Sequence, residues 1–328
     1  MNTDPWQSEL RRSIKKVDEL CRVLEIPCCS DRTDYPLLVP RPFVDLMEQR
    51  NLNDPLLLQV LPQAEENQTA PNFSKDPLGE IADTEGDIDS NKYVTLNKYT
   101  GRTLLLVSHE CAVHCRFCFR RHFPKAPTRG DGRRQTADGS KFCRLPSALQ
   151  EEVILSGGDP LMLDDATLDR LLQSILSVKH VRRIRIHSRL PIVLPCRLTA
   201  KLAEILTLPI PVYLVLHVNH PNELSEEFLE RRELLVKPVV LAQTVLLRKV
   251  NDAAETLYRL FHRLIDARIL PYYLHQLDKV EGATHFEVAP EEGLRILTEL
   301  RQRLPGYAVP AYVREINGNT CKDIMGGM

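Results

Sequence analysis

The chain has 328 residues, 43% hydrophobic and 27% charged, and its 43 Lys and Arg against 44 Asp and Glu leave a net charge of −1. That composition suits one large α/β domain with an extension, and it excludes a strongly basic nucleic-acid binder or a polyacidic tail protein. No apolar run approaches membrane-spanning length, and the start MNTDPWQSEL lacks the apolar stretch of a secretory signal, so a cytoplasmic enzyme is expected, with no membrane or nucleic-acid partner.

Trp6, Leu10, Ile14, Val17, Leu20 and Leu24 recur every three or four residues and predict one helix from Pro5 to about Leu24. Two shorter helices are expected over Pro42–Arg50 and Asp54–Leu61, set apart by prolines. Residues 64–92 show no period and read as an irregular connection anchored by Phe73, Leu78 and Ile81. Residues 1–95 thus form a mainly helical extension.

From about residue 100, β-branched and leucine-rich runs alternate with helical patterns. Strands are expected at Thr103–Ser108, Val153–Ser156, Ile184–His187, Val212–Val218, Val239–Leu246 and Leu270–Leu277. Leu168, Leu171, Leu172, Ile175 and Leu176 make one helical face, and Leu257, Leu260, Phe261, Leu264 and Ile265 another. Six strand–helix units imply a parallel sheet with right-handed crossovers. Six are too few for a closed eight-unit barrel, so a partial (β/α)6 barrel is expected over 96–310, with its site at the C-terminal ends of the strands. Residues 126–141 read as a polar surface loop, and 311–328 as a separate C-terminal tail.

Nine cysteines stand at 21, 28, 29, 111, 115, 118, 143, 196 and 321. An odd number argues against a disulfide framework. Cys111, Cys115 and Cys118 form C-x3-C-x2-C just after the first predicted barrel strand. Three soft thiolates at this spacing can hold three corners of a [4Fe–4S] cube, leaving one iron open to a small ligand. A zinc site with His109 or His114 as fourth ligand, or unligated thiols, are the alternatives. Ser156-Gly157-Gly158-Asp159 follows the second strand. Two glycines let backbone approach a ligand closely, and Asp159 can accept from an ammonium; a plain turn is the alternative.

The cysteine spacing resembles the signature of radical S-adenosylmethionine (SAM) enzymes. Together with CRFCFRRHFP (115–124), SGGDPL (156–161), HSRLPIVLP (187–195), HVNHPNE (217–223) and QTVLLRKVND (243–252), it resembles the lysine 2,3-aminomutase family. The nearest likeness is the short branch that supplies β-lysine for modification of elongation factor P, and it covers about residues 36–322.

The resemblance implies an isomerase with three cofactors: a [4Fe–4S] cluster on Cys111, Cys115 and Cys118, SAM, and pyridoxal phosphate (PLP). It assigns Ser156, Gly157, Gly158 and Asp159 to the SAM amino group. Lys322 matches the lysine that joins PLP as a Schiff base, although the family's glycine run before it is replaced here by Asn317-Gly318-Asn319-Thr320-Cys321; Lys279 is the competing candidate. Tyr99, Arg102 and Gln243 match PLP or cofactor contacts, with a surface pairing as the alternative for Arg102. Arg120 matches the arginine that takes the substrate carboxylate, unless it is one more cation of the basic stretch Arg116–Lys125. Asp278 and Glu315 match the acids that take the lysine ε-ammonium, Glu315 standing where the family has Asp. His187, His217 and His220 read as rim or core histidines. L-Lysine is the implied substrate, its amino group moving from C2 to C3, and a flavodoxin or ferredoxin the implied electron donor. The tail ends six residues after Lys322; the resemblance therefore implies that the C-terminal extension of the free-lysine mutases is missing and favours the elongation factor P branch. A radical SAM enzyme acting on another amino acid, or a non-catalytic cluster- or metal-binding protein, are the rival functions.

Overall fold

Side chains that point alternately to the two faces of each strand organise the molecule. The computed structural model describes residues 4–28, 34–81, 94–124 and 151–326. Among the described residues nine strands make one sheet in chain order: β1 (Val94–Tyr99), β2 (Arg102–Ser108), β3 (Glu152–Gly157), β4 (Arg183–Ser188), β5 (Val212–His217), β6 (Val239–Val245), β7 (Leu270–His275), β8 (Ala311–Arg314) and β9 (Asp323–Ile324). β2 to β8 run parallel. The edge strands β1 and β9 are antiparallel to their neighbours. The six predicted strands are all present. β1, β8 and β9 extend the sheet beyond them, and because β1 and β9 are its two ends, the barrel stays open.

The outward residues of the strands, among them Leu105, Val107, Val153, Leu155, Ile184, Ile186, Leu214, Leu216, Val240, Ala242 and Leu274, join the main core. Helices cover that face. They include α4 (Asp165–Leu176), burying Leu168, Leu171, Leu172 and Ile175, and α8 (Ala254–Asp266), burying Leu257, Leu260, Phe261 and Leu264. The alternate residues face the lumen, since successive side chains of a strand point to opposite faces. Near the strand starts these include a small apolar cluster of Leu104, Leu106 and Ile154 and an ion pair of Arg185 with Glu152. At the C-terminal ends they become polar: Ser108, Ser156, His187, His217, Gln243 and His275. The register sets several side by side, with His217 opposite Gln243.

The amino-terminal region departs from expectation. The single helix predicted over 5–24 is two, α1 (Pro5–Arg11) and α2 (Val17–Leu24). Between them Ile14 is fully buried and exchanges backbone hydrogen bonds with Val39 at 2.8 and 3.0 Å. That bridge takes the backbone groups a continuous helix would use. Of the helix predicted over Pro42–Arg50 only Pro42–Val44 is helical, within α3 (Arg41–Val44), and 54–61 are successive turns. There the Asp54 carboxylate accepts from the N–H groups of Glu48, Leu56 and Leu57, an aspartate competing with the helix ladder for its donors. Residues 82–92 of the irregular connection, the loop 126–141, Cys29 and Cys143 lie outside the described residues. The remaining helices are α5 (Leu190–Val193), α6 (Ala200–Ile205), α7 (Glu226–Arg232) and α9 (Pro290–Arg303). Among the described residues no helix is long and apolar enough to cross a membrane.

The extension belongs to the same core as the sheet. Trp6 is buried beneath the Arg197 guanidinium, 4.7 Å from its ring centroid. Arg197 in turn donates to Leu161 O, Leu163 O and Asp165. Trp6→Ala should therefore lower unfolding stability by about 3–5 kcal/mol. A denaturant midpoint that stays in place would show that α1 is not part of the folded unit.

Candidate active site

Cys111, Cys115 and Cys118 lie on the loop that leaves β2. Its backbone is pinned to the extension by His114 N to Leu38 O (2.9 Å) and Arg116 N to Gln59 O (2.9 Å). Arg116, fully buried, grips Glu66 with two nitrogens and donates to Tyr35 O. Arg121 donates to the same Glu66 and to Arg116 O and Gly282 O. Arg116, Arg120 and Arg121 are thus internal struts, and they do not form a nucleic-acid surface.

Burial is the main cause that raises all three thiol pKa values, that of Cys118 to about 11. The other cysteines' charges add to the rise at Cys111 and Cys118, so the sulfurs are grouped. At Cys115 the Arg189 guanidinium opposes the rise. Among the described residues no three His, Cys, Asp or Glu side chains converge as a single metal ion requires. Three grouped soft thiols are a donor set that suits a [4Fe–4S] cluster. His114 turns its Nδ1 to Pro36 O at 2.9 Å, and His109 packs towards Phe123.

The SGGD segment sits against this loop, and its glycines serve that contact. A Cβ on Gly157, whose φ is +121°, would fall 2.3 Å from Ser108 O, and one on Gly158 2.3 Å from Glu110 O. Gly158 N donates to Ser108 O (2.6 Å) and Asp159 N to Glu110 O (2.8 Å). On the side of each glycine where a Cβ would sit, the space is taken by the cysteine loop's own backbone. The Asp159 carboxylate accepts from Leu161 N, Ser188 Oγ, Arg189 N and Leu190 N at 2.7–2.9 Å. Four donors saturate it, so the side chain expected to meet an ammonium instead ties the β3 loop to the β4 loop.

Arg120 also differs from expectation. Its Nε and Nη2 hold Glu80 at 2.6 and 3.0 Å, and its Nη1 reaches Ser156 Oγ and Gly157 O, both at 3.1 Å. The fork expected for a substrate carboxylate already holds a protein carboxylate. Glu80 is 2% exposed and is seated by Asp76, which accepts from Glu80 N and Ile81 N. Burial pushes the Glu80 carboxyl up, but Arg120 and Lys98 (2.8 Å) outweigh it and hold it below its ordinary value.

Lys322 reaches the same mouth from the other end of the sheet. Its ammonium pairs with Glu315, which also accepts from Tyr99 OH (2.6 Å) and lies 3.5 Å from Lys98. These partners overcome burial and bring Glu315 down to about 2. Lys322 lies 6.0 Å from the ring centroids of both Tyr99 and Tyr273. Arg102 stacks over Tyr99 and makes no ion pair with any described residue. Gln243 meets His187 at 3.1 Å. Asp278 is pushed up to about 7, by burial first and then by Glu315. Lys279 is elsewhere, 47% exposed and paired with Glu287. His187, His217 and His275 crowd the lumen, where burial lowers all three pKa values, that of His275 to about 3. His220, expected at the rim, accepts from Asn222 N there.

Sequence reasoning missed Glu80, Lys98, Arg189 and His275. Arg189 stands inside the quoted stretch 187–195 and Lys98 precedes Tyr99; nothing in the local pattern singles out Glu80 or His275.

No protein-family model matches the chain. An L-lysine 2,3-aminomutase from Escherichia coli (strain K12) is 43% identical, covering 97% of this chain and 94% of its own length. One from Buchnera aphidicola is 38% identical with the same coverages. One from Clostridium subterminale is 32% identical over 95% of this chain and 76% of its own. A solved radical SAM methyltransferase from Sphaerobacter thermophilus aligns over 70% of each chain at 20% identity and a TM-score of 0.48, a likeness that carries no argument.

Because the atom that a Cβ at position 158 would strike is a backbone oxygen, Gly158→Ala should cost about 1–3 kcal/mol of stability. Chemical denaturation checks this. A variant as stable as the parent would mean that the two loops do not touch there.

Proposed function

The chain belongs to the L-lysine 2,3-aminomutase family, and we propose that it moves the amino group of L-lysine from C2 to C3, giving β-lysine, with a [4Fe–4S] cluster, SAM and PLP bound. When bound, the cluster with SAM supplies one-electron hydrogen-abstraction chemistry, and PLP an electron-accepting ring for the migrating nitrogen. Cys111, Cys115 and Cys118 would hold the cluster. Gly157 and Gly158 present backbone at its side, where the SAM amino group is assigned. Lys322 would hold PLP, with Arg102, which makes no ion pair with a described residue, as the cation for its phosphate and Gln243 beside it.

The observation that carries the substrate choice is Glu315, which already holds a primary ammonium, that of Lys322. Once Lys322 is engaged with PLP, the ε-ammonium of a substrate lysine has the same chemistry and the same carboxylate to meet. Asp278 is the second acid there. Two carboxylates disfavour an acidic side chain in this place. Arg120, whose four bonds to Glu80, Ser156 and Gly157 use four of its five N–H groups, keeps one Nη2 N–H for the substrate carboxylate; Glu80 fixes its plane.

Use of the product in modifying elongation factor P is supported by the resemblance of CRFCFRRHFP and HSRLP to that branch. The electron is assigned to a flavodoxin or ferredoxin type of donor, and the compartment to the cytoplasm. Anaerobic incubation of the reconstituted protein with reductant, SAM, PLP and L-lysine should yield β-lysine by chromatography and mass. SAM cleaved while lysine stays intact would overturn the assignment.

Asp278 also sets a pH dependence. Its carboxyl is neutral below about 7 and charged above, and only the charged form attracts an ammonium. The KM for lysine should fall as pH rises through about 7, by at most about tenfold per unit. Asp278→Asn should bind lysine weakly and lose that slope. A slope that survives the substitution would assign it to another group.

A further inference from the structure

Arg189 is 6% exposed, at the start of α5, and none of the roles above uses it. Its Nη1 donates to Cys115 Sγ at 2.7 Å. Its Nη2 donates to Gln59 Oε1 at 2.6 Å and lies 3.3 Å from Glu223 Oε2. Gln59 and Glu223 are fully buried and bonded to each other at 2.9 Å, and Gln59 also accepts from buried Asn219. The guanidinium lies near the rings of Phe43 and Phe117, at 5.7 and 5.5 Å. One buried cation therefore touches a candidate cluster sulfur, with a buried anion behind it. Burying such a pair is costly, and a neutral side chain would hold the loop without that cost.

We propose that Arg189 and Glu223 are an opposed pair that sets the reduction potential of the cluster on Cys111, Cys115 and Cys118. The inference rests on reading those cysteines as cluster ligands. With three thiolates, an oxidised [4Fe–4S]2+ centre carries a net charge of −1. It takes one electron from the external donor and becomes −2, with no bond made or broken in the protein. A cation and a hydrogen bond at a ligating sulfur favour the more negative state, and an anion nearby disfavours it. Arg189 thus raises the potential and Glu223 moderates that effect. Arg189 is a positioning and tuning residue and is not a catalytic one.

The test is an EPR-monitored redox titration of the reconstituted protein, without lysine. Arg189→Met should shift the midpoint potential to more negative values. Arg189→Lys, which keeps the charge and loses the fork, should shift it less in the same direction. Glu223→Gln, nearly isosteric, should shift it to less negative values. Potentials equal to the parent's, or shifts of the same sign for Arg189→Met and Glu223→Gln, would overturn the proposal. If Arg189→Met fails to fold or to hold iron, the sign of the Glu223→Gln shift decides. A parent chain that assembles no cluster would refute the ligand assignment itself, a failure distinct from unmoved potentials on an intact cluster.

Discussion

Five charges of alternating sign, Lys322, Glu315, Lys98, Glu80 and Arg120, run from the last strands of the sheet to the cysteine loop. The sheet is open, and β1 and β9 share no backbone hydrogen bonds. Lys98 and Tyr99 on β1 nonetheless reach Glu315 just beyond β8. The ladder therefore spans the seam that the hydrogen-bonded ladder leaves unclosed. Each member is largely buried, so each needs its neighbours: removing one partner of a buried pair costs about 3–5 kcal/mol.

The same ladder makes the two halves of the candidate chemistry one site. Arg120 stands two residues from Cys118, and Lys322 faces Tyr99 and Tyr273 at the opposite wall. Both ends use groups a substrate would compete for. Glu80 holds the arginine that the proposed reading assigns to a substrate carboxylate, and Lys322 sits on the acid that it assigns to a substrate ammonium. The architecture is thus preorganised around the charges of an amino acid with a cationic side chain.

Beneath the cysteines lies a second buried polar layer. Asp159 binds the β3 loop to the β4 loop, and Arg189, one residue past Ser188, carries that connection to Cys115. A change in β3 or β4 therefore bears on the sulfur through this connection. Such networks specify one arrangement because an unpaired buried donor or acceptor is expensive.

The sequence by itself determined the six central strands, since β-branched and leucine-rich runs between helical faces have a local period that needs no tertiary information. It also placed the cysteine loop and the GGD turn, because spacing is a local property. It could not show that Gly157 and Gly158 press on Ser108 and Glu110, or that Asp159 is saturated by Ser188, Arg189 and Leu190, because those partners are roughly thirty to fifty residues away. Helical spacing over 5–24 was real, but Ile14 found Val39, and a long-range backbone bridge outweighed a continuous helix. Glu80 reads as an ordinary surface acid in sequence. Only the fold, by bringing β1, the cysteine loop and the tail to one mouth, buries it between Arg120 and Lys98 and makes its charge part of the site.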